Sequence, residues 1–125
     1  MKSQEITIQS IQKLMDVFYA KIRNDQNGLG DLFNRQVGTS DEEWNHHKAK
    51  IASFWEGMLL GSGDYNGQPL KTHIDLAPFP RDFFRIWLGL FEESLHIVFT
   101  EDKAQIILQR AQMIAQRFQS VIYTH

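Results

Sequence analysis

Cysteine is missing from this chain altogether, which excludes disulfides, thiolate metal sites, thiol catalysis and thioether attachment of a prosthetic group. Long apolar runs are missing too. The longest stretch of uninterrupted hydrophobic residues is 17–20, far short of the roughly 20 needed to span a bilayer. Nor is there an excess of base: 13 Lys and Arg stand against 15 Asp and Glu, a net charge of -2, with no cluster of cations for a nucleic-acid backbone. The N-terminus carries no apolar segment of signal-peptide type. The expectation is a reduced, cytoplasmic, soluble protein that engages neither membrane nor nucleic acid. At 125 residues it suits one domain, expected over 1–125, and such a chain buries roughly 65–70% of its unfolded surface without staples.

Prolines are few, 3 in all, and with 8 glycines they punctuate the chain. Gly28 and Gly30, in a polar patch with Asn24, Asp25, Gln26 and Asn27, end a first periodic segment. Gly61, Gly63 and Gly67 with Pro69 make a second break, Pro78 and Pro80 a third, and Thr100 with Asp102 a last. Between breaks the apolar period is helical. Ile8, Ile11, Met15, Phe18 and Ile22 predict a helix from about residue 7 to about 24. Ser40 and Glu43 form a capping box, with Asp41 and Glu42 suited to a helix N-terminus. The helix they open carries Trp44, His47, Ile51, Phe54 and Met58. Pro80 suits a helix start ahead of Phe84, Leu88, Phe91, Leu95 and Val98. Thr100 suits the cap of a last helix facing inward with Ile107, Ala111, Ile114, Phe118 and Val121. No segment alternates with period two for long, so the fold reads as all-α. A plain four-helix bundle is resisted by the long Gly-rich loop at 61–70 and by the segment 71–76, too short for a bundle helix.

Candidate chemistry lies in histidines and aromatics. His46 and His47 are adjacent, so on a helix they point about 100° apart and do not chelate one ion together. Only His47 joins the apolar stripe, where a local hydrogen bond is the plain explanation; His46 faces the edge or solvent. His73 sits in a short segment among Leu70, Ile74, Leu76 and Phe79. An imidazole there suggests that something other than side chains fills the space, the alternative being a partly exposed loop histidine. His96 reads as surface, and His125 is terminal. Aromatics make up 12% of the chain, and at helical spacing they are ordinarily core. Tyr19, His47 and Trp87, however, put three polar handles near apolar faces of different helices, odd in a dry core and sensible around a ligand that accepts hydrogen bonds. No H-E-x-x-H, P-loop, G-x-G-x-x-G or G-x-S-x-G motif occurs. The acids at 41–43 and 92–93 cap or decorate helices and give no support to paired-carboxylate hydrolysis.

Tyr19 after Phe18, Phe33 after Leu32, and Glu42-Glu43-Trp44 with His47, Ile51, Phe54 and Trp55 resemble the truncated haemoglobins. The stretch with Tyr65, Gly67, Pro69 and His73 resembles the third group of that family, as does 84–95 with Trp87. The resemblance covers about residues 8–123, and the chain lacks the Gly-Gly pairs of the first two groups. It implies a two-over-two helical sandwich around a non-covalent b-type haem. His73 then matches the proximal iron ligand, its second ring nitrogen donating to a group that fixes the ring. Tyr19, His47 and Trp87 stand on the distal side, with Tyr19 and Trp87 expected to sit deep and His47 to gate entry. Phe33, Phe54, Met58, Leu76, Phe79 and Phe84 line the porphyrin, while Lys50 and Tyr65 meet its propionates. The implied function is binding of O₂ or another diatomic such as nitric oxide, with oxygen transport disfavoured by strong donors. A haem enzyme, either a nitric oxide dioxygenase or a peroxidase-like catalyst, is the alternative and would need a separate reductase. A third reading, a cofactor-free helical interaction module, leaves His73 and the three donors unexplained. A monomer is expected.

Overall fold

The computed structural model describes residues 2–26, 28–61 and 82–122, less the side chains at 36, 118 and 120–122. Five helices account for nearly all of them: α1 (Ile8–Arg23), α2 (Leu29–Val37), α3 (Asp41–Leu60), α4 (Asp82–Val98) and α5 (Glu101–Ile122). Among the described residues there is no strand, only an isolated bridge between Ser3 and Phe99. No helix there is long and apolar enough to cross a membrane.

Helix α1 starts where its capping chemistry allows. Thr7 accepts from the Ser10 N–H at 3.1 Å, and Ser10 Oγ accepts from the Thr7 N–H at 2.8 Å, so two orphan donors are satisfied reciprocally. Ile11, Leu14, Met15, Phe18, Tyr19 and Ile22 form its buried face. Ile8, expected on that stripe, is 44% exposed because it is the first helical residue, ahead of the turn where packing begins.

Helix α2 was not expected, since Gly28 and Gly30 read as breakers. Gly30 instead lies inside its first turn. A Cβ there would stand 2.6 Å from the Asp25 carbonyl oxygen and 2.8 Å from that of Ile22, so a bare backbone is what lets α2 start against the end of α1. The Asp25 carboxylate accepts from the Leu29 N–H at 3.1 Å, and Leu29, Leu32 and Phe33 turn inward. The expected Ser40–Glu43 capping box opens α3, and Gly61 in the left-handed region closes it.

At the corner between α4 and α5 the Thr100 hydroxyl donates to the Asp102 carboxylate at 2.7 Å, while the Thr100 carbonyl takes the Ala104 N–H. Ala104, Ile107, Leu108, Ala111 and Ala115 form the buried face of α5, with Ile114 half-buried. Phe118 and Val121, expected on the same face, lie outside the described side chains, and the Pro80 helix start lies outside the described residues. The Ser3 N–H donates to Val98 O at 2.7 Å and the Thr100 N–H to Ser3 O at 3.0 Å, pinning the N-terminal segment to this corner.

The helices form two layers. Helix α1 packs against α3 and α4; α4 packs against α5; α2 packs chiefly on α1. One contiguous core of buried side chains joins all five. This all-α, two-over-two arrangement is the one the sequence leads one to expect.

Candidate functional site

Phe18 and Tyr19 are neighbours on α1, about 100° apart around the helix, and both are buried because α1 is covered on two sides. Phe18 faces α4, edge-on to Trp87 at 5.5 Å and to Phe91 at 5.0 Å between ring centroids. Tyr19 faces α2 and α3. Its ring lies 5.0 Å from His47, nearly perpendicular to it, 5.7 Å from Trp44 and 6.5 Å from Phe33. Burial pushes the Tyr19 phenol well above its ordinary ionisation range, so its hydroxyl keeps its proton.

His47 is half-buried, whereas its neighbour His46 is exposed, as helical geometry requires. The Nε2 of His47 is shut off from solvent, and Phe33 and Trp44 stand 6.3 and 5.9 Å from its ring. Trp87 lies parallel to Phe91 at 5.4 Å, and Phe91 also stacks with Trp55 at 5.4 Å. Two of the three expected donors are therefore direct neighbours, and the third joins them through Phe18.

Trp87 is half-buried among the helices. Helix α4 carries two apolar stripes: Phe84, Phe91, Leu95 and Val98 fill the core, while Phe83, Ile86, Trp87 and Leu90 are only partly covered beside it. Helix α3 repeats the pattern. Its buried residues are Trp44, Ala52 and Trp55, whereas Ile51, Phe54 and Met58, expected to face the core, are half-buried alongside. The apolar arc of each helix is wider than its helical partners cover. Phe83 spends its ring on Gly28, where an added Cβ would lie 2.9 Å from it.

The chain was compared with known proteins. No family model matches it. It is 62% identical, over all 125 of its residues and 98% of the relative's length, to the group 3 truncated haemoglobin ctb of Campylobacter jejuni. The chain belongs to the group 3 truncated haemoglobins. The crystal structure of the group III truncated haemoglobin from Campylobacter jejuni agrees in fold, with a TM-score of 0.96 over 99% of this chain and 97% of that one. Membership implies haem, and the cofactor-free interaction module falls away.

In this truncated haemoglobin, Phe33 and Phe84 are buried, Phe54 and Met58 are half-buried, and Lys50 is exposed. Tyr65, His73, Leu76 and Phe79 lie outside the described residues. His96, read as surface, is half-buried with Glu101 at 3.4 Å and Glu92 at 3.9 Å. Among the described residues no three His, Cys, Asp or Glu side chains group as a metal site. The three handles, on α1, α3 and α4, are a phenol, an imidazole and an indole, all able to donate without carrying negative charge.

Sequence reasoning assigned no role to Trp44 or Arg23. The Trp44 indole N–H donates to Gly38 O at 2.8 Å, and the Arg23 guanidinium stands 5.1 Å from the Trp44 ring centroid. The one available signal was that Trp44 precedes His47 by three residues, so the two share a helix face.

Proposed function

We propose that this truncated haemoglobin is a single globin domain over residues 1–125 that holds a b-type haem through His73 and takes O₂, or another diatomic such as nitric oxide, on the side of Tyr19, His47 and Trp87. The observation that carries this reading is the pair of half-buried apolar stripes on α3 and α4 beside the Tyr19–His47 contact. Side chains such as Phe54, Met58 and Ile86 lose stabilisation while part of their apolar surface meets water, and a flat apolar group against them removes that cost. A chain with no cysteine leaves the haem non-covalent, hence type b.

When bound, the haem supplies a ferrous iron that binds diatomic gases. The rest falls to the chain. His73 ligates the iron through a neutral imidazole; Phe33, Phe54, Met58, Leu76, Phe79 and Phe84 exclude water around the ring; Lys50 and Tyr65 hold the propionates. Tyr19 offers a hydroxyl that burial keeps protonated, and Trp87 offers an indole N–H that does not ionise. A ligand that gains negative charge is held by such donors more firmly than a neutral one. His47, half-buried at the edge of α3, gates entry. The protein is proposed to work as a cytoplasmic monomer.

Firm retention suits capture better than oxygen transport. Turnover of nitric oxide or peroxide, with a separate reductase restoring the iron, is therefore the second reading, and the buried Tyr19 donor favours it. The test of the primary reading is spectral. His73→Gly is expected to lose most of its haem, or to need added imidazole for a normal Soret band, while His47→Gly keeps the haem. The reverse outcome assigns the two faces the other way round.

A further inference from the structure

Trp44 is the largest of the fully buried side chains, 1% exposed, and it is held at its polar end as well as by its rings. Its N–H bond to Gly38 O, 2.8 Å long, depends on a turn that only glycine makes comfortably: Gly38 has φ 113°, and a Cβ there would run into the Glu43 carboxylate. Arg23, from the last turn of α1, places its guanidinium over the indole and donates to Thr39 O at 3.1 Å and to the Asp41 carboxylate at 3.1 Å. The end of α1, the turn after α2 and the start of α3 thus meet at one indole. Tyr19, His47 and Phe33 stand around the same ring, at 5.7, 5.9 and 6.5 Å between centroids.

Bulk alone would serve the core without this fastening. The geometry points to Trp44 as a positioning residue: anchored by Gly38 and clamped by Arg23, it fixes the rings of Tyr19 and His47 and so sets how far His47 closes over an incoming ligand. Trp44 acts through these two side chains and does not itself meet the ligand. The inference rests on the reading of Tyr19 and His47 as the ligand side, and it adds the device that holds them.

Trp44→Phe keeps one aromatic ring but removes the anchoring N–H together with the five-membered ring that carries it; Arg23→Gln removes the clamp from outside, leaves the indole volume intact and guards against a Trp44 variant that fails to fold. Leu95→Ala, in the remote α4–α5 core, serves as the control for simple destabilisation. On the haem-loaded chain, the carbon monoxide stretching band and the carbon monoxide association rate are read, followed by the ring-flip rate of Tyr19 by NMR in the carbon monoxide form. Trp44→Phe is expected to keep its Soret band, broaden or split the stretching band and change association about two- to ten-fold, the range one lost hydrogen bond carries. The Tyr19 ring should also flip faster, because its neighbour no longer holds it. Arg23→Gln should move all three in the same direction by less, and Leu95→Ala should move none. The proposal is overturned if Trp44→Phe matches the parent while Tyr19→Phe shifts the band, or if Leu95→Ala reproduces the Trp44→Phe change. If neither Tyr19→Phe nor His47→Leu affects the band, the ligand-side reading fails instead. The Tyr19 ring-flip rate then decides alone whether Trp44 holds Tyr19, and an unchanged rate overturns that too.

Discussion

The two ends of this molecule are packed from different materials. Where α4 meets α5, the core is Leu95, Val98, Phe99, Ala104, Ile107, Leu108 and Ala111, all at most 6% exposed. The buried polar group there, Ser94, spends its hydroxyl on the Leu90 carbonyl of its own helix at 2.8 Å. Where α1 meets α2 and α3, the packing is Tyr19, Phe33, Trp44 and His47, in tilted or edge-on contacts from 5.0 to 6.5 Å between centroids. The first region needs only shape and apolar area. The second accepts polar handles that a dry core would penalise unless they met partners. On the proposed reading, stability and ligand chemistry are lodged in separate places, and variants should separate them.

The largest effect belongs to the aliphatic end. Leu95→Ala opens a cavity in a site of 0% exposure and should cost about 2–5 kcal/mol of unfolding free energy, measured by denaturant titration, with O₂ release left as in the parent. A change in release of more than two-fold would mean that the ends are coupled.

Next come the donors. Removing the buried Tyr19 hydroxyl should cost about 1.5–3 kcal/mol of ligand retention, the range for bonds to charged groups, which is roughly a ten- to hundred-fold faster O₂ release. Trp87→Phe should also accelerate release substantially, because it removes the second donor. His47→Leu should act chiefly on association. On the proposed reading Tyr19 and Trp87 serve one acceptor, so the double variant should fall short of the sum. Stopped-flow release that is fastest in His47→Leu would contradict this ranking.

The smallest effect is at the α4–α5 corner, where chemistry is confined to the surface. The Thr100 hydroxyl holds the Asp102 carboxyl below its usual range. A carboxyl whose ionisation is easier in the folded state adds stability above the ordinary carboxylate range and loses it as pH falls through the lowered value. Thr100→Val should therefore flatten a slight part of the acid dependence of stability below about pH 4 and leave behaviour at neutral pH unchanged. The fully exposed position of Asp102 keeps this contribution small.

The same contrast explains what could be read in advance. Helices α1 and α3 were legible because their apolar period and the Ser40–Glu43 box are local signals. Helix α2 was not, because the merit of Gly30 lies in carbonyls at the end of another helix. Thr100 was rightly placed at the start of α5, but its hydroxyl donates to Asp102, a choice between two nearby acceptors and donors that sequence does not rank. In the site, Tyr19 and His47 stood out as polar groups on apolar stripes, and they are neighbours. The partial cover of Trp87 among the helices follows from a second apolar stripe on α4, visible only once the core has chosen the first. Trp44 gave no hint of its fastening, whose acceptor is a backbone carbonyl. Tyr65, His73, Leu76 and Phe79, outside the described residues, rest on the resemblance to the family.

The bridge from Ser3 to Val98 and Thr100 carries a consequence for how the chain comes together. Its two hydrogen bonds close a loop of about 95 residues, an entropic cost met only after the intervening helices have shortened the distance. During synthesis, residue 3 leaves the ribosome long before residues 98 and 100 and finds its partners only when the α4–α5 corner has emerged. Until then the N-terminal segment is a loose end. The amides of Ser3 and Thr100, locked by one closure, should lose their protection from hydrogen exchange together.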